Sequence, residues 1–326
     1  MTTATEYIGF LDLEYLSSYV AEGGAAVKFV VPASDDDALR CSDALLAAAT
    51  AHGYLSVRVD AVTTRIHLMD QLFFDVARQV DWGSLARRAV RLAATAAGYP
   101  PAPEPEPGTE ANDDPLTIDQ LAAHHAVDVH ELSRDLNRVL QQRIIHDYAM
   151  TLELRVAMLR LCQAELATGQ VTEAERDAIL AWLRGELRQM SMLRSATIFR
   201  RIGRHNARSM LFSLAHWLGA TGHTGLVLEL DIRRLGFARR PLPEERNGLY
   251  YTKAALLDAY ELLRQFVDNT DELSNCAVVV IAAPEFLTDE ARGLSAYQAL
   301  RLRVDTEVRD RTLTNPFASL VRVSAA

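Results

Sequence analysis

Four aspartates stand where a chain of this kind would do phosphate chemistry. Asp35, Asp36 and Asp37 follow the β-branched apolar run Ala25–Val31, and Asp231 ends a second such run, Leu226–Asp231. The turn from a buried strand into a helix holds nucleotide phosphates when three things are present: glycines, a lysine for the β- and γ-phosphates, and a Ser or Thr for Mg²⁺. The turn here is Pro32-Ala-Ser-Asp-Asp-Asp-Ala-Leu39. It has no glycine and no lysine; Ala38 stands in the lysine position and Leu39 in the hydroxyl position. Like charges about 4 Å apart repel by about 1 kcal/mol in water and several-fold more in a partly buried site. Three carboxylates beside a triphosphate therefore oppose its binding. The Asp side chains are expected to cap the N–H groups of the following helix, so that the end that would take an anion carries its own. Adjacent residues in a turn do not converge on one ion, which argues against a Mg²⁺ or Ca²⁺ site. Asp231 stands like the strand-end Asp that holds Mg²⁺, but the next position, where a water-activating Glu would be, is Ile232.

The cations tell the same story. The chain has 326 residues and a net charge of −9, and of its 34 basic residues only Lys28 and Lys253 are lysines. Lys28 lies inside the first apolar run and Lys253 opens a distant helix, so neither can serve the turn. Arginines cluster twice, at Arg194, Arg200, Arg201, Arg204 and Arg208 with His205, and at Arg233, Arg234, Arg239 and Arg240. Arg200, Arg201, Arg204, Arg208, Arg233 and Arg234 are the candidates for contact with nucleic acid or a partner, either through phosphates or as an arginine offered to a neighbouring subunit's nucleotide. Arg301, Arg303, Arg309 and Arg311 alternate with Asp305, Glu307 and Asp310 as self-paired helix charges.

Other constellations carry less. Leu116–Leu140 has a helix-turn-helix flavour, with Ala122, Ala126 and Leu132 at its packing positions and Ser133, Arg134, Asn137 and Arg138 left to read DNA. The alternative is a plain helical hairpin. His124, His125 and His130 lack the spacing of a metal site. Cys41, Cys162 and Cys276 form no CxxC pair and suit a reducing compartment. Neither a GxSxG nor an HExxH motif is present, so an independent hydrolase is not expected.

Apolar, β-branched runs at Ala25–Val31, Tyr54–Ala61, Leu226–Asp231, Cys276–Pro284 and Ser319–Ser324 read as five strands. Helical patterns lie between them, which predicts a parallel sheet covered on both faces. A short helix is expected over Thr5–Val20, one from Asp35 to Gly53, and another over Ala255–Val267. Helical periodicity fills Thr117–Gly219, with capping boxes at Thr117–Gln120 and Thr172–Glu175. The organisation expected is 1–83 as the first half of the α/β core, 84–205 as a helical insert and 206–326 as the second half. A Pro/Glu-rich linker over 100–115 holds five carboxylates and no basic residue. The N-terminus does not read as a signal peptide and no stretch spans a membrane, so a cytoplasmic location is expected.

Several stretches resemble one family. These are YLSSYVAEGGAAVKFVV, IGRHNARSMLFSLAHWLGATGHTGLVLELD, YYTKAALLDAYELLRQFVDNTDEL and the run from VVVIAAPEFLTDEARGLSAYQAL to SLVRVS. Together they are similar to the BREX-system ATP-binding-domain proteins, P-loop ATPases of bacterial anti-phage defence. The resemblance is most specific at Pro284–Asp289 and Arg292–Tyr297. It implies a P-loop NTPase-like (ASCE/AAA-like) core with a five-stranded parallel sheet and a defence setting. Family members carry Gly-Lys-Ser/Thr after the first strand and Asp-Glu at the Walker B strand; this sequence has neither. Family chains also continue into a helical region past the last strand, so a C-terminal lid is expected to be missing. The function expected is that of a catalytically degenerate homologue without ATP or Mg²⁺, a structural or regulatory subunit of a defence complex. Its implied partner is an intact ATP-binding paralogue, a helicase or another DNA-processing subunit. Two alternatives stand beside it: a DNA-binding adaptor using the insert and its arginines, and an ATPase completed in trans.

Overall fold

The computed structural model describes residues 2–101, 117–237, 248–305 and 315–324. Most of the acidic linker, together with Arg239, Arg240, Glu307, Arg309, Asp310 and Arg311, lies outside the described residues. The chain divides into two compact units, Met1–Gln79 with His223–Ala326, and Val80–Gly222.

The first unit is an α/β layer structure. Its strands are β1 (Thr2–Thr3), β2 (Ala25–Pro32), β3 (Leu55–Asp60), β4 (Leu226–Asp231), β5 (Cys276–Ile281) and β6 (Leu320–Ser324). They pair in the order β1-β6-β2-β5-β4-β3, parallel throughout. The five strands read from the sequence form the sheet, and two-residue β1 adds to its edge. Every residue of β2, β4 and β5 is buried, as largely apolar strands require when helices cover both faces; Lys28, Glu229 and Asp231 are the charged exceptions in these runs.

One face carries α1 (Ala4–Leu11) and α2 (Asp35–Ala51). There Tyr7, Leu11, Cys41 and Leu45 pack on Val30, Val227 and Val279. The expected helix over Thr5–Val20 changes character at Asp12: the next two turns are π-helical, with the Val20 N–H bonded to the Tyr15 carbonyl at 2.8 Å. The other face carries α3 (Met69–Gln79), α10 (Lys253–Asp268) and α11 (Glu285–Thr288), with α12 (Gln298–Val304) packed on α10. On that face Phe29 stacks 6.1 Å from Phe286, which meets Tyr260 edge-on at 5.7 Å.

The topology places the site. The chain leaves central β2 for the far edge at β3, returns through β4 and β5, then crosses to β6 on the other side. In open parallel sheets, ligands bind beyond the carboxyl ends of the strands where the winding direction reverses. Here that is the region of Ala33–Asp37, Asp60 and Asp231.

The second unit is helical: α4 (Trp82–Ala96), α5 (Ile118–His125), α6 (Val129–Leu140), α7 (Leu152–Glu165), α8 (Glu173–Leu183) and α9 (Ala207–Ala220). Helix α9, assigned from the sequence to the second half of the core, packs in this unit. Thr117 and Gln120 form a reciprocal capping box. At Thr172 only half of the box forms: its hydroxyl takes the Glu175 N–H, while the Glu175 carboxylate goes to Arg160 at 2.6 Å. Between α8 and α9 the chain is irregular except for a 3-10 turn at Met190–Leu193.

Candidate functional site

The link from β2 to α2 consists of Ala33 and Ser34 alone. Ser34 is extended (φ −143°, ψ 167°), and the helix begins at Asp35. An anion nest needs successive N–H groups turned inward by alternating right- and left-handed backbone. Between Gly23 and Gly53 no residue has positive φ. The link is thus too short and too straight to wrap a phosphate.

The cap differs from the sequence expectation. Ser34, not an aspartate, caps α2: its hydroxyl accepts from the Asp37 N–H at 3.2 Å and donates to Asp37 Oδ2 at 2.7 Å. Asp37 is buried beneath it, while Asp35 and Asp36 are exposed. Ala38, in the lysine position, is buried and Leu39, in the hydroxyl position, faces outward.

Asp231 is 3% exposed, and guanidinium groups occupy both its oxygens. Arg233 donates its backbone N–H (3.1 Å) and Nε (3.0 Å) to Oδ1, and Nη2 (2.7 Å) to Oδ2. Arg58, on the adjacent strand, donates Nη2 to Oδ2 at 3.1 Å. Arg233 Nη1 then reaches Asp35 at 2.5 Å, tying β4 to the start of α2. Hydrogen bonds to Asp231 push the Arg233 guanidinium further towards its charged form. A carboxylate held bidentately has its in-plane lone pairs committed, and a divalent cation needs those lone pairs. Among the described residues no group of His, Cys, Asp and Glu could hold a metal ion.

One layer deeper, fully buried Glu229 pairs in register with Arg58. Arg58 Nε lies 3.2 Å from Glu229 Oε1, and Ser42 of α2 donates to both Glu229 oxygens at 2.9 and 2.8 Å. Burial pushes the Glu229 carboxyl up, against the lowering effect of Ser42 and Arg58. The sheet end is therefore a closed ladder: two arginines between three carboxylates, with a serine beneath. A signal for Arg58 and Glu229 was present in the sequence. Val-Arg-Val-Asp60 and Leu-Glu-Leu-Asp231 each place one charged residue two positions before a strand-end Asp, and in parallel neighbours of equal register these must meet.

The lysines stand apart. Lys28 is 6% exposed, donates to the carbonyls of Phe317 (2.8 Å) and Ala318 (3.3 Å), and sits 4.4 Å from the Tyr15 ring. Burial lowers its pKa to about 8. Lys253 Nζ is bonded to the Ala291 carbonyl.

The two arginine clusters separate. Arg233 is consumed by the ladder. Arg234 is 8% exposed, gives Nε to the Leu249 carbonyl at 2.7 Å and lies over the Phe237 ring. That pair turns inward rather than presenting a basic face. Arg200, Arg201 and Arg204 are exposed and Arg208 is half-buried. The helix-turn-helix reading fares less well. Asn137 is engaged by Gln163 of α7 at 2.9 Å and donates to the Ser133 carbonyl at 2.8 Å, so α6 turns part of its would-be reading face inward.

A structural role also falls to the stretch that carries the resemblance most specifically. Arg292, 7% exposed, donates to the Leu235 (3.1 Å) and Tyr251 (2.8 Å) carbonyls, while its own carbonyl accepts from Tyr260 at 2.6 Å. A Cβ on Gly293 would come within 2.4 Å of the Asp289 carbonyl oxygen and 2.6 Å of the Phe286 carbonyl oxygen, so only glycine fits there.

A family model described as "BREX system ATP-binding protein BrxC/D" matches residues 117–325. The match takes in β4 with Asp231 and the Arg292–Tyr297 stretch, and begins beyond the β2–α2 link. No curated protein and no solved structure matches the chain. No described helix is long and apolar enough to cross a membrane. With an all-parallel P-loop-like α/β fold and a family match over well more than half its length, the chain belongs to the BREX system ATP-binding protein BrxC/D family of anti-phage defence.

Proposed function

We propose that this chain is a catalytically degenerate member of its family, a structural or regulatory subunit of a BREX defence assembly that neither binds nor hydrolyses ATP. The observation that carries this is the ladder at the sheet end. Asp231, the residue placed to hold Mg²⁺, is saturated by Arg233 and Arg58, and only Ala33 and Ser34 separate β2 from α2. The ion pairs tie α2 to β4, a task nucleotide performs when it bridges these elements. A fold stabilised this way is free to act as a docking platform for other proteins of the system, an intact ATP-binding relative or a DNA-processing subunit among them.

Calorimetric titration of the chain with Mg-ATP tests this. No saturable heat is expected, and a micromolar dissociation constant overturns the proposal. Replacing Asp36 by Gly and Ala38 by Lys is expected to leave the result unchanged, because the backbone link remains too short.

A further inference from the structure

We propose that the segment Arg188–Arg208 is a binding strip for single-stranded nucleic acid, held through phosphates by arginines and through a base by Phe199. The inference is independent of the nucleotide site and rests on the helical unit alone.

The local balance of charge is the first support. Within a chain of net charge −9, this segment holds six arginines and one histidine and no carboxylate. Several arginines elsewhere in the molecule meet acids, Arg58, Arg160, Arg233, Arg264 and Arg303 among them. Among the described residues no carboxylate pairs with the side chains of Arg188, Arg194 or Arg204, all exposed. Arg200 has a single, long contact, 3.5 Å to Glu153, and remains 75% exposed. Exposed cations without partners keep their whole field for a polyanion.

The second support is rigidity without regular structure. Leu193, Ala196, Ile198 and Ile202 are buried and pin the strip at intervals. Trp182 Nε1 donates to the Arg200 carbonyl at 3.0 Å, and Asn206 ties to the Arg201 carbonyl (3.2 Å) and the Gly203 N–H (2.8 Å). Arg201 Nη2 donates to the Arg188 carbonyl at 3.2 Å. That bond folds the middle of the strip back on its first residue, so Arg188, Arg200 and Arg201 are gathered rather than strung out. A pinned strip loses less conformational freedom on binding than a mobile tail.

Phe199 selects the occupant. It is 72% exposed, between buried Ile198 and the Arg200–Arg201 pair. An aromatic face beside exposed cations offers a base a stacking platform, and only an unpaired base can reach it. Duplex DNA and acidic proteins present phosphates or carboxylates but no free base.

The test is fluorescence anisotropy of a labelled oligothymidylate of about 15 nucleotides with the full chain, from about 50 to about 200 mM salt. Binding is expected, weakening with salt by about 0.7 in log K per log salt for each phosphate neutralised. Arg194→Ala with Arg204→Ala should make that slope shallower by about 1.4. Phe199→Ala should weaken binding by about five- to a hundredfold with the slope unchanged, and Phe199→Trp should restore it. All three positions are exposed, and an unchanged urea midpoint confirms that the variants fold. Lack of binding at the lowest salt overturns the proposal, as does binding insensitive to these substitutions. A duplex of equal length or a polyglutamate peptide bound as tightly as the oligonucleotide, with Phe199→Ala without effect, also overturns it.

Discussion

At the carboxyl ends of β3 and β4, Arg58 and Arg233 are enclosed by Glu229, Asp231 and Asp35. Along Arg188–Arg208, exposed Arg188, Arg194 and Arg204 pair with no acid among the described residues. The residue type is the same and its work is opposite. In the first region each guanidinium is held between carboxylates. In the second the guanidinium groups are left open for a ligand. What separates the two is the distribution of carboxylates, since the arginines are of one kind throughout.

The comparison breaks first at Asp231. Removing one partner of a buried ion pair costs about 3–5 kcal/mol; Arg58 and Arg233 keep some water, which reduces the expected loss for Asp231→Ala to about 2–4 kcal/mol. Urea denaturation measures it, with Asp36→Ala, exposed on the same turn, as a control expected within about 0.5 kcal/mol of the parent. A loss below about 1 kcal/mol at Asp231 would mean that the ladder does not hold the sheet end together.

Gly293→Ala probes the other closed arginine, Arg292. The added methyl meets backbone carbonyls that cannot swing away, so a loss of about 1–3 kcal/mol is expected from overpacking. A neutral result by the same denaturation assay would show that the turn relaxes and that Arg292 is less firmly held than its two carbonyl bonds suggest.

Most of the sheet was legible in the sequence because β-branched runs bounded by turn residues leave little choice. The composition of the β2–α2 turn is legible too, because the absence of glycine and lysine there is a local property. The ladder was only half legible. The sequence marks Asp231 as a strand-end carboxylate, but it presents Arg233 as one member of an arginine cluster, and Arg58 shows only by its register with Glu229. Arg233 and Arg234 are adjacent, yet one takes a carboxylate and the other a backbone carbonyl. That outcome depends on the turn after β4, which no spacing rule encodes. The cap of α2 is ambiguous in the sequence for a similar reason. Ser34 and the three aspartates all favour N-caps, and only the extended backbone at Ser34 decides among them.

Lys28 sharpens the comparison from a third position, a cation that is closed in without a carboxylate. Its pKa in the folded chain is about 8, below the ordinary lysine value of about 10.4. Between these values the Lys28 ammonium of the unfolded chain keeps its proton while the folded one loses it, so the Lys28 contribution to stability rises with pH across that window. Below about pH 8 the fold carries the cost of a buried charge. Lys28→Met is therefore expected to stabilise the chain at pH 7 by about 1–3 kcal/mol, the lost carbonyl bonds offsetting part of the gain. That gain should shrink as pH rises through this window, while the buried thiols of Cys41, Cys162 and Cys276, raised by burial, act on both chains alike in the opposite direction. Urea midpoints at neutral and alkaline pH check both. A Lys28→Met gain that does not shrink between pH 7 and about pH 10 would show that Lys28 is not held as a strained cation.

The smallest expected effect is the most discriminating. If the strip is open, Arg194→Ala and Arg204→Ala break no pairing, and each should change unfolding free energy by less than about 0.5 kcal/mol. Asp231→Ala, which removes a single carboxylate, should cost several times the sum of the two. A loss above about 1 kcal/mol at either arginine would show that these cations are structural, like Arg58 and Arg233. The distinction between a closed and an open arginine would then fail at its open end. A small loss makes any change in oligonucleotide affinity in the same variants attributable to the contact itself, because the fold that presents it is intact.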